Sequence, residues 1–208
     1  MGHRCDDPWC RRGLFFGIHL SRGRGVIDAS ETPEDTSIGI RAISHTGLDR
    51  ALPELALLLR DVVNDTGGLG FLPPMADDEA LNYWLSIRAE LRDGSRILLA
   101  AYDGDRIVGT AQLAFPPWPN ARHRAAIHKM LVERKMRGQG VGASLMFALE
   151  KVARLRGRSL LILNTRHGSP AERFYTALGF TKSGVIPGYA AGPNGLFYAD
   201  ATYYKQLA

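Results

Sequence analysis

The sequence predicts an α/β (α+β) chain of about six to seven strands interleaved with helices. Three observations carry that expectation. Short apolar runs bounded by Gly, Pro and Asp alternate with stretches whose apolar residues recur at helical spacing. An Asp103-Gly104-Asp105 turn separates two β-rich runs, the mark of an antiparallel hairpin. The cluster Arg137-Gly138-Gln139-Gly140-Val141-Gly142 stands where a strand over 125–133 gives way to a helix over 143–156.

In order, the regular part begins with a strand at 39–44. A helix follows over 48–63, with Leu52, Leu55, Leu58, Leu59 and Val62 on one face and the acids Asp49 and Glu54 early, where the helix dipole favours them. Residues 67–74 carry too many Gly and Pro for helix or strand. Asp77 or Asp78 is placed to cap a second helix running to about Leu91, although the acids Asp77-Asp78-Glu79 could also attract a cation. The hairpin pairs 96–102 with 106–115, and Pro116-Pro117-Trp118-Pro119-Asn120 links it to the central strand.

Beyond the central helix, Leu160-Leu161-Ile162-Leu163 is a buried strand by length and flanks. Ser169-Pro170 opens a helix that Gly179 ends, with Pro where a missing N–H costs nothing. Strands at 180–185 and 196–204 close the chain, joined by a loop over 187–195. There is no internal repeat.

At 208 residues and 45% apolar content the chain can bury one good core. A net charge of +5 suits an anionic ligand, but the cations are not gathered into runs with interleaved aromatics, so nucleic-acid binding is not expected. No apolar run approaches the roughly 18 residues that span a bilayer, so no membrane association is expected. Two cysteines, Cys5 and Cys10, give no disulfide framework and fit a reducing, cytoplasmic setting. Residues 1–37 read as a poorly ordered extension and 38–208 as the folded domain. Arg11-Arg12 before Leu14-Phe15-Phe16 hints at an export signal, but Gly17 and His19 interrupt the apolar segment. His3, Cys5, Cys10 and His19 match no common zinc spacing, and no metal is expected.

The glycine bend carries the functional signal. The first turn of a helix leaves backbone N–H groups without intrahelical partners, and glycines remove the side chains that would keep an anion from them. Without a ligand, the same pattern is only a tight strand-to-helix turn. The loop lacks the Lys-Ser/Thr of a nucleotide triphosphate P-loop, and its glycines are wrongly spaced for a dinucleotide fingerprint. The pattern Arg137-x-x-Gly140-x-Gly142 after Leu131-Val132 resembles instead the pyrophosphate loop of GNAT-type N-acetyltransferases. Ala171-Glu172-Arg173-Phe174-Tyr175-Thr176-Ala177-Leu178-Gly179-Phe180 resembles that family's second signature, and the element order matches the GNAT fold. Through this resemblance the order implies one mixed central sheet of about six to seven strands with helices on both faces. Within the family the chain is most similar to tabtoxin-resistance-type acetyltransferases, through Thr66-Gly67-Gly68, Gly70-Phe71, Ala111-Gln112-Leu113, Lys129 to Val132 and Pro187-Gly188-Tyr189-Ala190.

The resemblance implies acetyl-CoA as co-substrate and a small-molecule amine as acceptor, toxin- or antibiotic-like. It also implies a site. Arg137, Gly138, Gln139, Gly140, Val141, Gly142 and Ala143 would hold the pyrophosphate. Met130, Leu131, Val132, Asn164, Ala171, Phe174 and Tyr175 would line the acetyl-pantetheine arm. Phe71, Met75, Trp118 and Tyr189 would form the lips of the acceptor pocket. An alkyl ammonium must lose a proton before attack, at a cost of about 4 to 5 kcal/mol at pH 7, so a proton acceptor or a dry pocket is needed. Tyr175 occupies the family position that protonates the departing thiolate; otherwise it is a core aromatic. Asn164 stands where the relatives carry an aspartate, and an amide cannot take a proton. The candidate base is then solvent through a water chain, or His128, against the bland reading of a strand histidine packed in the core. A protein N-terminus or lysine as acceptor, or a non-catalytic acyl-CoA sensor, are the alternatives. Monomer and homodimer are both open.

Overall fold

The computed structural model describes residues 38–207, so the readings made for the extension, including its cysteines, histidines and arginine pair, lie outside the described residues. The elements are β1 (Gly39–Ile43), α1 (Leu48–Thr66), α2 (Asp77–Ser86), α3 (Arg88–Asp93), β2 (Arg96–Asp103), β3 (Arg106–Ala114), β4 (Arg124–Val132), α4 (Val141–Leu155), β5 (Leu160–Arg166), α5 (Pro170–Ala177), β6 (Thr181–Ala191) and β7 (Phe197–Gln206). They form one 7-stranded sheet in the order β1-β2-β3-β4-β5-β7-β6. Every neighbouring pair is antiparallel except β4 and β5.

Helices cover both faces because strand side chains alternate and each face presents its own apolar set. On one face α1 buries Leu48, Leu55, Leu59 and Val63 against Leu98, Ala100 and Ile107 of the sheet. Trp84 of α2 is fully buried there, and its indole N–H donates to the Leu55 carbonyl at 2.8 Å, which locks α2 onto α1. On the other face α4 sets Val141, Leu145, Leu149 and Val152 against Leu99, Leu113, Ile127 and Leu161. Each such buried side chain contributes about 1.5–3 kcal/mol.

Three details differ from the sequence reading. The helix expected over 77–91 breaks at Ile87 into α2 and α3. Neither Asp77 nor Asp78 caps it. Ala76 occupies the cap position without a side-chain bond; Asp77 pairs with Arg60 at 2.6 Å, and Asp78 accepts from the Glu79 amide at 3.0 Å. The acids act through the helix dipole instead. Finally, β6 runs on through Pro187-Gly188-Tyr189 to Ala191, where a loop was expected. As the sheet's edge, β6 has a side that needs no ladder, so it tolerates a proline, and a register shift between Ile186 and Ala190 absorbs Gly188 at φ +62°.

Candidate active site

The bend between β4 and α4 presents a row of uncommitted amides. Gly138 and Gly140 take φ of +75° and +85°, the left-handed region that favours glycine, and a Cβ at either would stand in open space. The first bond of α4 runs from the Ser144 amide to the Gly140 carbonyl at 3.0 Å. Among the described residues, the amides of Gly138, Gly140, Val141, Gly142 and Ala143 donate to no backbone carbonyl. That row, with open space in front and the positive end of α4 behind, fits a diphosphate.

Arg137 sits differently. Its guanidinium donates to Asp65 at 2.6 Å and to the Val132 carbonyl at 3.1 Å, and Arg134 also reaches Asp65, at 3.0 Å. Arg137 therefore braces the bend against the end of α1. Gln139 folds back to the Lys135 carbonyl at 2.6 Å. Gly142 answers to packing: a Cβ there would meet Phe174 at 3.2 Å. This contact brings the two sequence signatures together.

Beside the bend the sheet opens. β4 and β5 pair only at Arg124–Leu160, Ala125–Leu161 and Ala126–Ile162, while β4 continues along β3 and β5 along β7. Past Ala126 the β5-facing edge of β4 has no ladder to join. On the α4 and α5 side, Met130, Val132, Ala171 and Phe174 are partly buried, and Tyr175 is buried among Phe174, Phe180 and Tyr203, with ring centres 5.2, 6.0 and 6.3 Å away. Burial pushes the Tyr175 hydroxyl up to about 12, so it is a neutral donor at pH 7. It makes no hydrogen bond among the described residues.

Glu172, one turn earlier in α5, fixes this helix. Burial raises its pKa, but bonds from Lys182, Tyr203 (2.5 Å), the Gly168 amide (2.5 Å) and His167 (2.8 Å) outweigh that and hold it at about 2. The loop before α5, β6 and β7 thus converge on one carboxylate.

The face under α2 carries the polar half of the site. β4 holds one extra residue against β3: Gln112 pairs with His128 and Thr110 with Leu131, leaving one residue on β3 opposite two on β4. The bulge sits at Lys129, with φ +46°. His128 is exposed, not packed in the core. The protein around part of its ring nevertheless disfavours the imidazolium, Arg96 and Lys129 add to this, and Glu90 opposes it, so its pKa falls below 6.5. Lys129 donates to the Leu69 carbonyl and lies 4.5 Å from the Phe71 ring centre and 4.8 Å from that of Tyr83. Burial, then Arg96, lowers it to about 8. Fully buried Gln112 accepts from Tyr83 at 3.0 Å and Arg96 at 2.7 Å, while its own NH2 has no partner.

Asn164 lies across the opening. By strand parity from the Ala126–Ile162 pair, His128 and Asn164 belong to the same face, each two residues past the last rung. The Asn164 NH2 donates to Asp200 at 2.6 Å and to Thr202 at 3.0 Å, both on β7. Burial raises the Asp200 pKa, against the Asn164 bond.

The lip residues are scattered. Phe71 faces Lys129, whereas Met75 is 3% exposed in the core beneath α1 and α2. Trp118 is 63% exposed at the head of a short 3-10 turn over Pro119–Ala121, and Tyr189 is 57% exposed on the β6 edge. Sequence reasoning missed Asp200, Lys129, Gln112, Tyr83 and Arg96 as site residues. Strand parity would have set Gln112 and Asp200 on the face of His128 and Asn164 only once the strand pairing was known, and no sequence signal marks Tyr83 on α2 or Lys129 at the bulge. Among the described residues no cluster of His, Cys, Asp and Glu is arranged to hold a metal ion, and no helix is long and apolar enough to cross a membrane.

A splayed parallel pair beside a helix-start amide cradle defines a coenzyme A-dependent acyltransferase, and the chain belongs to the Acetyltransferase (GNAT) family, whose model matches residues 64–180. It is an acetyl-CoA-dependent N-acetyltransferase. Among characterised relatives it is similar to the L-methionine sulfoximine/L-methionine sulfone acetyltransferases of Pseudomonas paraeruginosa and Pseudomonas aeruginosa, each 29% identical over 141 residues, 65% of this chain and 78% of the relative. Among solved structures, yncA of Salmonella typhimurium, determined with acetyl-CoA, superposes with a TM-score of 0.66 at 17% identity, covering 82% of this chain and 94% of that one. The ribosomal-protein-alanine N-acetyltransferase of Brucella melitensis superposes at 0.65 with 25% identity, covering 81% and 99%.

Proposed function

We propose that this enzyme acetylates the amine of a small molecule, by direct transfer in a ternary complex. The observation that carries the reading is the single opening between β4 and β5, with the amide row at one end and His128, Lys129 and Asn164 at the other. A small acceptor is favoured over a polypeptide because Lys129 pins the 67–72 loop down on the β4 bulge, narrowing the acceptor side. The Pseudomonas relatives, named for two small amino acids, support the same class.

Acetyl-CoA, when bound, supplies an acetyl group activated as a thioester. The amides of Gly138, Gly140, Val141, Gly142 and Ala143 bind its diphosphate, and the β5-facing edge of β4 past Ala126 offers N–H groups to the acyl oxygen, where charge develops. His128 holds a neutral imidazole at pH 7 and accepts the ammonium proton that blocks attack. Tyr175 keeps its proton at Oη for the leaving sulfur.

The test is thiol release from acetyl-CoA in the presence of L-methionine sulfoximine, L-methionine sulfone, a tabtoxin-like dipeptide and a peptide beginning with alanine. Release with one of the three small amines and not with the peptide is expected. Release with the peptide alone would replace the small-molecule reading, and coenzyme A binding without any release would point to a sensor.

A further inference from the structure

We propose that Asn164 and Asp200 act as one unit that binds the acceptor's primary ammonium nitrogen. The inference rests on the acetyltransferase reading for its place in the reaction, and on hydrogen-bond geometry for its chemistry. A carboxylate accepts hydrogen bonds and cannot donate them. With Asp200 Oδ2 at 2.6 Å, the atom of Asn164 facing β7 must be the NH2, and Thr202 Oγ1 at 3.0 Å holds the other side of that group. The amide orientation is therefore set by chemistry, and Asn164 Oδ1 is turned away from β7.

Both that oxygen and Asp200 Oδ1 accept no hydrogen bond among the described residues. One is an amide oxygen polarised by an anion behind it, and the other carries part of the charge itself. Asn164 is exposed and lies two residues past the last β4–β5 rung, on the face that His128 shares, so the pair sits on the acceptor face of the opening. The cation nearest in register, Arg166, is opposite Asp200 on β5, but its guanidinium lies 3.4 Å from the Tyr198 ring centre; on the β6 side the opposite residue is Ile186. Among the described residues no ion pair neutralises Asp200. A primary ammonium, with three N–H donors and one positive charge, matches this set of acceptors.

The first experiment needs no turnover. Methylammonium chloride is titrated into the coenzyme A complex while NMR follows the Asn164 side-chain amide and the Asp200 carboxyl carbon, with tetramethylammonium, which has no N–H, as control. Saturable shifts with methylammonium alone are expected, weakened about tenfold in Asp200→Asn. Absence of saturation, or an equal response to both cations, overturns the ammonium site.

The second experiment uses whichever amine of the panel the wild type acetylates. Asp200→Asn should lower kcat/KM roughly 100-fold with coenzyme A affinity unchanged, and the exchange Asn164→Asp/Asp200→Asn should recover most of it, showing that a carboxylate is needed on this pair and that the variants fold. Activity of Asp200→Asn within about threefold of wild type overturns the inference while leaving the acetyltransferase reading intact. Saturable methylammonium binding with no thiol release from any amine does the reverse.

Discussion

The two ends of the opening are built in opposite ways. The proposed cofactor end is local: the bend over 137–143 makes it, main-chain amides would do the binding, and side chains matter chiefly by being absent. The proposed acceptor end is assembled from the 67–72 loop, α2, β2, β3, β4, β5 and β7, and its polar groups are side chains. A backbone cradle recognises a feature that every acetyl-CoA carries, so it can be fixed. A side-chain assembly can be altered one residue at a time, and that is where a chain of this family sets its acceptor.

Substitutions can break or sharpen that contrast. The largest effect is expected from Gly140→Val: a β-branched residue at φ +85° is strained and its side chain enters the open space before the amides, so coenzyme A affinity should fall roughly 100-fold in calorimetry. Retained affinity would refute the amide row as the diphosphate site. Tyr175→Phe should leave that affinity unchanged and lower kcat by a factor on the order of 10 to 100, because the buried ring stays and only the proton donor is lost. Unchanged turnover would remove Tyr175 from the chemistry.

His128→Gln touches the acceptor end alone. In the wild type, kcat/KM should decline as pH drops through the His128 pKa, below 6.5, because the imidazolium cannot accept a proton. The variant should lose this limb and about tenfold in rate at pH 7.5. The smallest effect is on stability: Glu172→Gln should cost about 2 kcal/mol at pH 7, seen as a lower Tm. The carboxyl's folded pKa, about 2, lies below its ordinary 4.5, so its contribution is present above 4.5 and is lost as pH falls toward 2. Wild type and variant should converge across that interval in acid unfolding.

Most of the fold was legible because each element announces itself locally: the helical spacing of α1, the Asp-Gly turn between β2 and β3, the Ser-Pro start of α5. The strand-to-helix bend at Gly138 to Gly142 was legible for the same reason. Where reading failed, the deciding force was tertiary. Pro187-Gly188 signals a turn by itself, but pairing with β7 on both sides holds β6 together across an irregularity there. His128 was open between core and cleft because a strand's parity says which residues share a face and not which face is covered; a bulge at Lys129 then shifts the count for everything after it. Asp200 was invisible as a site residue, since nothing in Tyr198-Ala199-Asp200-Ala201 distinguishes it until β7 is laid against β5.

The short ladder between β4 and β5 has a mechanical consequence. With β1 to β4 on one side and β5 to β7 on the other, the sheet is a pair of leaves joined near one end by three rungs, in the manner of tongs. A cofactor arm lying between the leaves would stand in for the missing rungs. Deuterium uptake along β4 past Ala126 should then slow when coenzyme A is added, while uptake at Arg124 to Ala126 stays as it was, and the ligand would count as a temporary eighth strand.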